Sequence, residues 1–249
     1  MTLTVGLLGA GALGGRLQAL LAEGAVAGCR LGGVRTRASS ADLGDAGVVV
    51  ESAGVAAAVA EVPALLAEGH DVVLCSCGAL AEPALVRALA ELPSGTARLL
   101  VPAGAIGGLE LFRAAVRGSA TARVQLHTTK AAGALGTAEA GTVFSGSARA
   151  AALAFPRTAN VAVALALATT GLDDTEVVVS ADPTATRTRH VVSVDSDLGS
   201  YRLEVTNVPA PGSGGRTSAV TAWSVVTLLE ALAQGHAAGL HVPLGSTQL

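Results

Sequence analysis

The first part of the chain alternates between short apolar runs and longer segments in which apolar residues recur at helical spacing. The apolar runs predict strands at residues 3–8, 30–34, 48–52, 71–75 and 97–101. The intervening patterns predict helices at residues 12–24, 55–68 and 81–92. This alternation is typical of a doubly wound parallel sheet with helices on both faces.

The rhythm changes after about Gly107, where strands are predicted at residues 124–129, 177–181, 190–195 and 201–206. In the last of these, apolar and polar residues alternate, which is typical of an antiparallel sheet with one wetter face. Helices are predicted at residues 160–170 and 218–234. We therefore expect an α/β protein with a first domain at residues 1–106, a second α/β domain with a largely antiparallel sheet at residues 107–217, and a C-terminal segment, 218–249, that returns to the first domain.

Composition narrows the class of protein. The chain has 249 residues, of which 51% are hydrophobic and 14% charged, so a disordered protein is excluded. Mean hydropathy is +0.56, but Gly, Glu, Arg or His interrupts each apolar run before the roughly 18 residues that a membrane span needs. Glycines also break the opening apolar stretch, which argues against a signal peptide. We expect a cytoplasmic protein without a membrane partner.

Charge and cysteine content argue against two further classes. A net charge of −3, with one Trp and one Tyr, offers neither a basic face nor stacking residues for nucleic acid. Cys29, Cys75 and Cys77 form neither a disulfide framework nor a zinc-binding pattern, so we expect reduced thiols and no metal site.

A glycine motif, Gly9-x-Gly11-x-x-Gly14, follows the first predicted strand and opens the first predicted helix. In this context glycines allow a tight turn and close approach of the backbone to a pyrophosphate, whose charge the helix N-terminus favours. The motif predicts a Rossmann domain in which this turn, with Ala12 and Leu13, binds a dinucleotide. The alternative is a purely structural glycine turn.

The second predicted strand ends without the acidic residue that usually accepts the ribose hydroxyls of NAD. Arg35 and Arg37, with Ser39 and Ser40, stand there instead. Guanidinium groups suit a 2′-phosphate, so the segment favours NADP over NAD. The alternative is a pair of solvated loop arginines.

Two further segments follow the carboxyl ends of predicted strands, where open α/β sheets bind ligands. One contains Ser76, Cys77 and Gly78, and the other contains Ala105. We expect both to line the nicotinamide side of the cofactor site, with the cysteines as small packing residues.

His190 follows Arg187 and Arg189 at the start of a predicted strand, so an imidazole and two cations could converge on an anionic substrate. Lys130 is the only lysine in a chain that otherwise uses arginine, which indicates either a selected ammonium group or a chance surface residue. The other histidines are expected to be structural or solvated: His70, His127, His236 and His241.

Several segments together resemble the L-aspartate dehydrogenase family over most of the chain. They are VGLLGAGALGGRL, DVVLCSCGAL, VPAGAIGGLE, FPRTANVAVALALATTGLDDTEV, ADPTATRTRH and RTSAVTAWS. The resemblance implies a Rossmann domain joined to a substrate domain, a homodimer, and NAD(P)-linked interconversion of L-aspartate with oxaloacetate and ammonia through iminosuccinate. It also implies that His190 is the catalytic acid/base and that Asn160 and Ala105 contact the cofactor.

The chain departs from the family pattern at two segments. Thr129-Lys130-Ala131-Ala132 replaces an Arg-Lys-Pro-Pro-like segment, and Gly214-Gly215-Arg216 replaces Asn-Pro-Lys before Thr217 and Ser218. Both are expected to border the substrate, an amino acid or 2-oxo acid. Its carboxylates would be bound by some of Lys130, Arg157, Arg189 and Arg216, with Thr217 and Ser218 nearby. Two alternatives stay open: an imine reductase or amino-acid dehydrogenase for another small carboxylated substrate, and a non-catalytic NADP-binding sensor.

Overall fold

The computed structural model describes residues 2–39, 43, 45–93, 95 and 97–245. They form two compact units. Unit 1 lies within residues 1–104 and 221–249, and unit 2 is Ala105–Val220.

Unit 1 contains a six-stranded sheet in the order β11-β5-β4-β3-β1-β2. Strands β1 to β5 pair with one another in parallel, while β11 pairs antiparallel with β5 at one edge. The strands are β1 (Leu3–Leu8), β2 (Cys29–Arg35), β3 (Val48–Glu51), β4 (Asp71–Leu74), β5 (Leu99–Val101) and β11 (Leu240–Val242). The first five match the predicted runs closely, because buried parallel strands are continuous apolar segments. Strand β11 was not predicted, because a three-residue edge strand carries too short an apolar run.

The helices of unit 1 are α1 (Ala12–Ala22), α2 (Val55–Ala67), α3 (Pro83–Ala90) and α7 (Val220–Ala233). Leu17 and Leu20 of α1 share a core with Val5 of β1 and with Val225 and Leu229 of α7. The helix predicted from residue 81 begins at Pro83 instead, and Cys77–Ala81 forms a 3₁₀ turn before it. Proline fixes φ and lacks an N–H, so it suits the first turn of a helix.

Unit 2 contains a five-stranded sheet in the order β10-β9-β6-β8-β7. The strands are β6 (Arg123–Ala131), β7 (Gly141–Ser147), β8 (Thr175–Asp182), β9 (Thr188–Ser196) and β10 (Gly199–Asn207). Only the β6–β8 pair of this sheet is parallel, so the predicted fold class, with its second, largely antiparallel sheet, is confirmed. Strand β7 was not predicted, because it is an edge strand whose mostly exposed residues carry little apolar pattern.

Three helices belong to unit 2: α4 (Leu109–Arg117), α5 (Ala148–Ala154) and α6 (Asn160–Ala168). Of these helices, α6 was predicted from the sequence, whereas α4 and α5 were not. Both are short, and α5 is almost entirely alanine after its Ser147 cap, whose hydroxyl accepts a hydrogen bond from the Ala150 N–H. Alternate residues of β6 are buried, and three of them line a recess together with residues of α5 and α6, which gives that strand one covered face.

No helix formed by the described residues has both the length and the apolar character that crossing a bilayer requires.

Candidate functional site

The glycine turn of unit 1 joins β1 to α1, and each of its three glycines occupies a different environment. Gly9 has φ +104°, and its N–H donates a 2.8 Å hydrogen bond to the Arg35 carbonyl at the end of β2. A Cβ at Gly14 would lie 2.1 Å from the Gly9 carbonyl oxygen, so only glycine allows the helix to pack this closely. A Cβ at Gly11 would meet nothing within 4 Å.

The N-terminus of α1 suits an anion. Gly11 precedes the helix and provides no side-chain cap, and Ala12 lies exposed in the first turn, with Leu13 half-buried beside it. Uncapped N–H groups and the helix dipole favour a negative group such as a phosphate. The open space at Gly11 lets such a group approach the backbone, so these residues fit the pyrophosphate of a dinucleotide.

The segment after β2 forms a tight turn in which Thr36 and Ser39 are bridged through their backbones. Arg35 is half-buried, and its Nη1 lies 3.3 Å from Glu61 Oε2, whereas Arg37 is exposed at the tip of the turn. Ser40, expected to assist them, lies outside the described residues. The structure therefore places Arg37 freely accessible and Arg35 in an ion pair.

Glu51, at the end of β3, is a buried carboxylate that the sequence analysis missed. Its Oε1 accepts hydrogen bonds from the N–H groups of Ala53 and Gly54 at 2.8 and 3.0 Å and from Ser76 Oγ at 3.0 Å. Its Oε2 accepts one from the Ser76 N–H at 2.9 Å. Burial raises the pKa of Glu51, and these four hydrogen bonds oppose that rise. Glu51 thus ties together the segments that follow β3 and β4.

Ser76, predicted to contact the cofactor, is buried and bonded to Glu51. Cys77 and Gly78 are buried in the 3₁₀ turn that follows. Burial also raises the pKa of Cys75 well above its usual value, with Glu51 adding to the effect, so this thiol stays protonated. The Ser76 hydroxyl is therefore bonded within the protein, and the contact of this segment with the cofactor stays a prediction.

His190 lies on β9 in unit 2, buried, and directly opposite Thr128 of β6 in the strand register. Its Nδ1 and the Thr128 Oγ1 are hydrogen-bonded at 2.9 Å. Burial, followed by the charge of Lys130, lowers the pKa of His190 to about 3. The imidazole is therefore neutral at physiological pH and held in a fixed orientation.

Lys130 lies two residues beyond Thr128 on the same covered face of β6 and is only 5% exposed. Burial lowers the pKa of its ammonium group to about 8. Because side chains two apart on a strand share a face, Thr128, Lys130 and His190 form one polar group on the covered face of this sheet.

Arg189 points away from this group. Consecutive residues of a strand face opposite sides, and Arg189 is exposed in an ion pair with Glu204, Nε to Oε1 2.5 Å. Arg187 is also exposed. The structure therefore does not bring Arg189 together with His190 on one face of the sheet.

The remaining predicted residues of unit 2 lie at several places. The Ala105 carbonyl accepts a 2.8 Å hydrogen bond from Asn207 Nδ2. Asn160 is half-buried as the first residue of α6, and Arg157 is exposed just before that helix. The loop after β10 contains Arg216, exposed, and Thr217 and Ser218, half-buried, and the position of a Cβ at Gly215 lies 3.4 Å from Ala134 Cβ.

Two residues of these sites carried a signal that sequence reasoning could have used. Thr128 continues the alternation of Val124 and Leu126 and so belongs to the covered face. Glu51 ends an otherwise apolar run, and this pattern predicts a buried carboxylate at the end of the strand. Among the described residues, no group of three or more His, Cys, Asp or Glu side chains could hold a metal ion.

Two family models match the chain. One, described as the C-terminal domain of aspartate dehydrogenase, matches residues 110–232. The other, described as the NAD-binding domain of homoserine dehydrogenase, matches residues 38–102.

Relatives and a solved structure point the same way. L-aspartate dehydrogenase 2 of Bordetella pertussis is 40% identical over 195 residues, which cover 73% of this chain and 72% of that protein. L-aspartate dehydrogenase 3 of Bordetella bronchiseptica is 35% identical, with 91% of this chain and 94% of that protein covered. The crystal structure of aspartate dehydrogenase from Thermotoga maritima matches with a TM-score of 0.72 and 26% identity, over 93% of this chain and 97% of that one.

The glycine turn fits a dinucleotide, and the matched domain and relatives support NAD or NADP as its cofactor. With relatives above 30% identity matched over more than two thirds of both chains, the chain belongs to the L-aspartate dehydrogenase family of NAD(P)-dependent oxidoreductases.

Proposed function

We propose that this chain interconverts L-aspartate with oxaloacetate and ammonia through iminosuccinate, and that it prefers NADP to NAD. The observation that carries the proposal is the buried, neutral imidazole of His190, oriented by Thr128 on the same sheet face as the buried Lys130. Such a setting suits proton transfer beside an anionic substrate.

A bound nicotinamide dinucleotide supplies the acceptor for a hydride from the α-carbon of the amino acid. Gly9, Gly11 and Gly14, with the N-terminus of α1, would hold its pyrophosphate. Arg35 at the end of β2 and, above all, the exposed Arg37 in the turn after it would bind a 2′-phosphate.

His190 would move the protons of the imine step. With the Nδ1–H donating to Thr128 Oγ1, Nε2 is the unprotonated nitrogen that takes a proton from water as the water adds to the imine carbon. The same nitrogen returns a proton when ammonia leaves. A substrate carboxylate would offset the charge of Lys130 and thereby raise the pKa of His190 in the complex, which makes the ring a better base.

The test is NADPH oxidation with ammonia and a series of 2-oxo acids, for the wild type and for His190→Ala. We expect oxaloacetate to be the preferred acid and the variant to lose about 10²- to 10⁴-fold in kcat while it binds NADPH as the wild type does. Wild-type activity in His190→Ala would refute the assignment of His190. Preference for another carboxylated acid would favour the alternative of a related amino-acid dehydrogenase or imine reductase, which the two altered segments suggest.

We also propose a homodimer, as the family resemblance implies, and a cytoplasmic location. Light scattering coupled to size-exclusion chromatography tests the dimer, and a particle of one chain's mass would refute it.

A further inference from the structure

A small recess lies within unit 2 between the covered face of its sheet and the segment that includes α5 and α6. Strands β6 and β8 form its floor, and Phe155, Thr158 and Val161 belong to its roof. We call it the Lys130 recess. Most of its wall is apolar, and Thr128, Lys130 and Thr158 supply the polar atoms.

Lys130 is the unusual member of this wall. It is the only lysine of the chain, and only 5% of its surface is exposed. Within the described parts of the chain, no carboxylate forms an ion pair with it. Burying an ammonium group without a counter-ion costs several kcal/mol, on the order of the loss seen when a buried ion pair is broken. A site that retains such a group is built for an anion that arrives with a ligand.

The N-terminus of α6 faces the same recess. Ala159, which precedes the helix, together with Val161 and Ala162 of the first turn, lines the recess, and no side chain caps this helix end. A helix N-terminus favours negative charge, so both it and Lys130 would attract an anion into the recess. The two hydroxyls, Thr128 and Thr158, add possible donors to a carboxylate.

Thr128 connects the recess to the imidazole. It lines the recess and is hydrogen-bonded to His190 Nδ1 at 2.9 Å. A carboxylate bound at Lys130 is therefore separated from the proton-transfer group by a single side chain.

We propose that the Lys130 recess binds the substrate carboxylate that lies farther from the reacting carbon, so that Lys130 selects dicarboxylic over monocarboxylic 2-oxo acids. This inference rests on the proposed function, since it assigns one end of the proposed substrate. Residues of α5 and α6 cover the recess, so the end of a ligand can enter it but the middle of a ligand cannot. The α-carbon must stay open to the hydride acceptor, and the carboxylate attached directly to it stays near that opening. The distal carboxylate is the group that can enter.

The experiment compares the wild type, Lys130→Met and the control Arg123→Met, which removes an exposed cation from the same strand. The quantity measured is the ratio of kcat/KM for oxaloacetate to kcat/KM for pyruvate, with ammonia and NADPH. We expect this ratio to fall about 10- to 100-fold in Lys130→Met, the loss that removal of a charged hydrogen-bond partner brings, and to stay unchanged in Arg123→Met. Equal losses with both acids, or an unchanged ratio, would overturn the proposal.

A second readout does not depend on turnover. Succinate should raise the melting temperature of the wild type and of Arg123→Met but not that of Lys130→Met, while propionate should raise none of them. If no 2-oxo acid is turned over, the proposed function fails, and loss of succinate protection in Lys130→Met alone would still support the recess as a dicarboxylate site. Succinate protection that persists in Lys130→Met would overturn the inference even in an active enzyme.

Folding is controlled within the same series. Without ligand, Lys130→Met should be at least as stable as the wild type, because the variant removes an unpaired buried charge. Lys130→Gln, which keeps a polar end without the charge, replaces it if the methionine variant aggregates, with the same expected fall in the ratio.

Discussion

Thr128 and His190 lie directly opposite each other on β6 and β9, and their side chains are hydrogen-bonded at 2.9 Å from Oγ1 to Nδ1. The pair is buried on the covered face of the sheet. A hydroxyl held by a strand, rather than by a loop, fixes which imidazole nitrogen is left for chemistry.

This relationship predicts the effect of Thr128→Val, which keeps the shape of the side chain but removes the hydroxyl. We expect kcat to fall about tenfold, because a lost neutral hydrogen bond is worth about 1 kcal/mol and the ring also loses its fixed orientation. The KM for NADPH should not change. Thr206→Val, an exposed threonine on β10, is the control, and an equal fall in kcat there would mean that the sheet tolerates no such change.

The buried imidazole also predicts how stability depends on pH. The pKa of His190 is lowered to about 3, whereas an imidazole in the unfolded chain titrates near about 6.5. The unfolded state therefore binds more protons between these values, so the stability present above about pH 6.5 is lost as the pH falls towards 3. We expect His190→Asn to lose stability less steeply than the wild type, by up to about 1.4 kcal/mol per pH unit, in urea unfolding between about pH 6 and pH 4. Parallel curves for the two proteins would contradict the neutral buried state.

The glycine turn predicts that two similar substitutions affect different properties, one the stability of the fold and the other the binding of NADPH. Gly14→Ala places a Cβ 2.1 Å from the Gly9 carbonyl oxygen, so it should lower the free energy of unfolding by about 1–3 kcal/mol. Gly11→Ala meets nothing within 4 Å, so it should fold normally but weaken NADPH binding about tenfold by blocking approach to the backbone. Gly15→Ala, whose nearest contact is 3.7 Å, is the control for both measurements. Normal NADPH binding by Gly11→Ala would remove the pyrophosphate from this turn.

The turn after β2 predicts cofactor preference. Because Arg37 is exposed at its tip, Arg37→Ala should raise the KM for NADPH by about tenfold or more, the loss of a charge-assisted hydrogen bond, and leave the KM for NADH as it was. Arg30→Ala removes an exposed arginine of β2 that is paired with Asp45, and it should change neither constant. An equal effect on both cofactors would show that Arg37 does not read the 2′-phosphate.

The Glu51 hydrogen bonds predict a structural effect with a consequence for the cofactor site. In Glu51→Gln an amide N–H₂ group, which can only donate, replaces one of the two carboxylate oxygens. It then faces either the Ser76 N–H or the other three donors, and those donors lose their acceptor. We expect a loss of about 1–3 kcal/mol in the free energy of unfolding. NADPH binding should weaken too, because a Cβ placed on Gly9 would lie only 2.8 Å from Ala53, so the glycine turn packs on the segment that Glu51 holds. Glu91→Gln, at an exposed position, is the control, and wild-type stability of Glu51→Gln would show that the carboxylate is dispensable.

The chain's local patterns determined the framework of the protein. The parallel strands of unit 1 were predicted within one or two residues, and the glycine motif was placed between β1 and α1, because apolar runs and glycine spacing are properties of adjacent residues. The opposite orientation of Arg189 and His190 was also available from the sequence, since neighbours on a strand face opposite sides.

Tertiary structure decided which distant residues act together. Glu51 meets Ser76 across 25 residues, and Thr128 meets His190 across 62, through strand order and register that no local pattern specifies. It also decided which of the predicted substrate-binding cations is buried: Lys130 is, whereas Arg157, Arg189 and Arg216 are exposed. Burial depends on which helices cover a sheet face, and α5, which helps to cover Lys130, is a short alanine segment with almost no signal of its own.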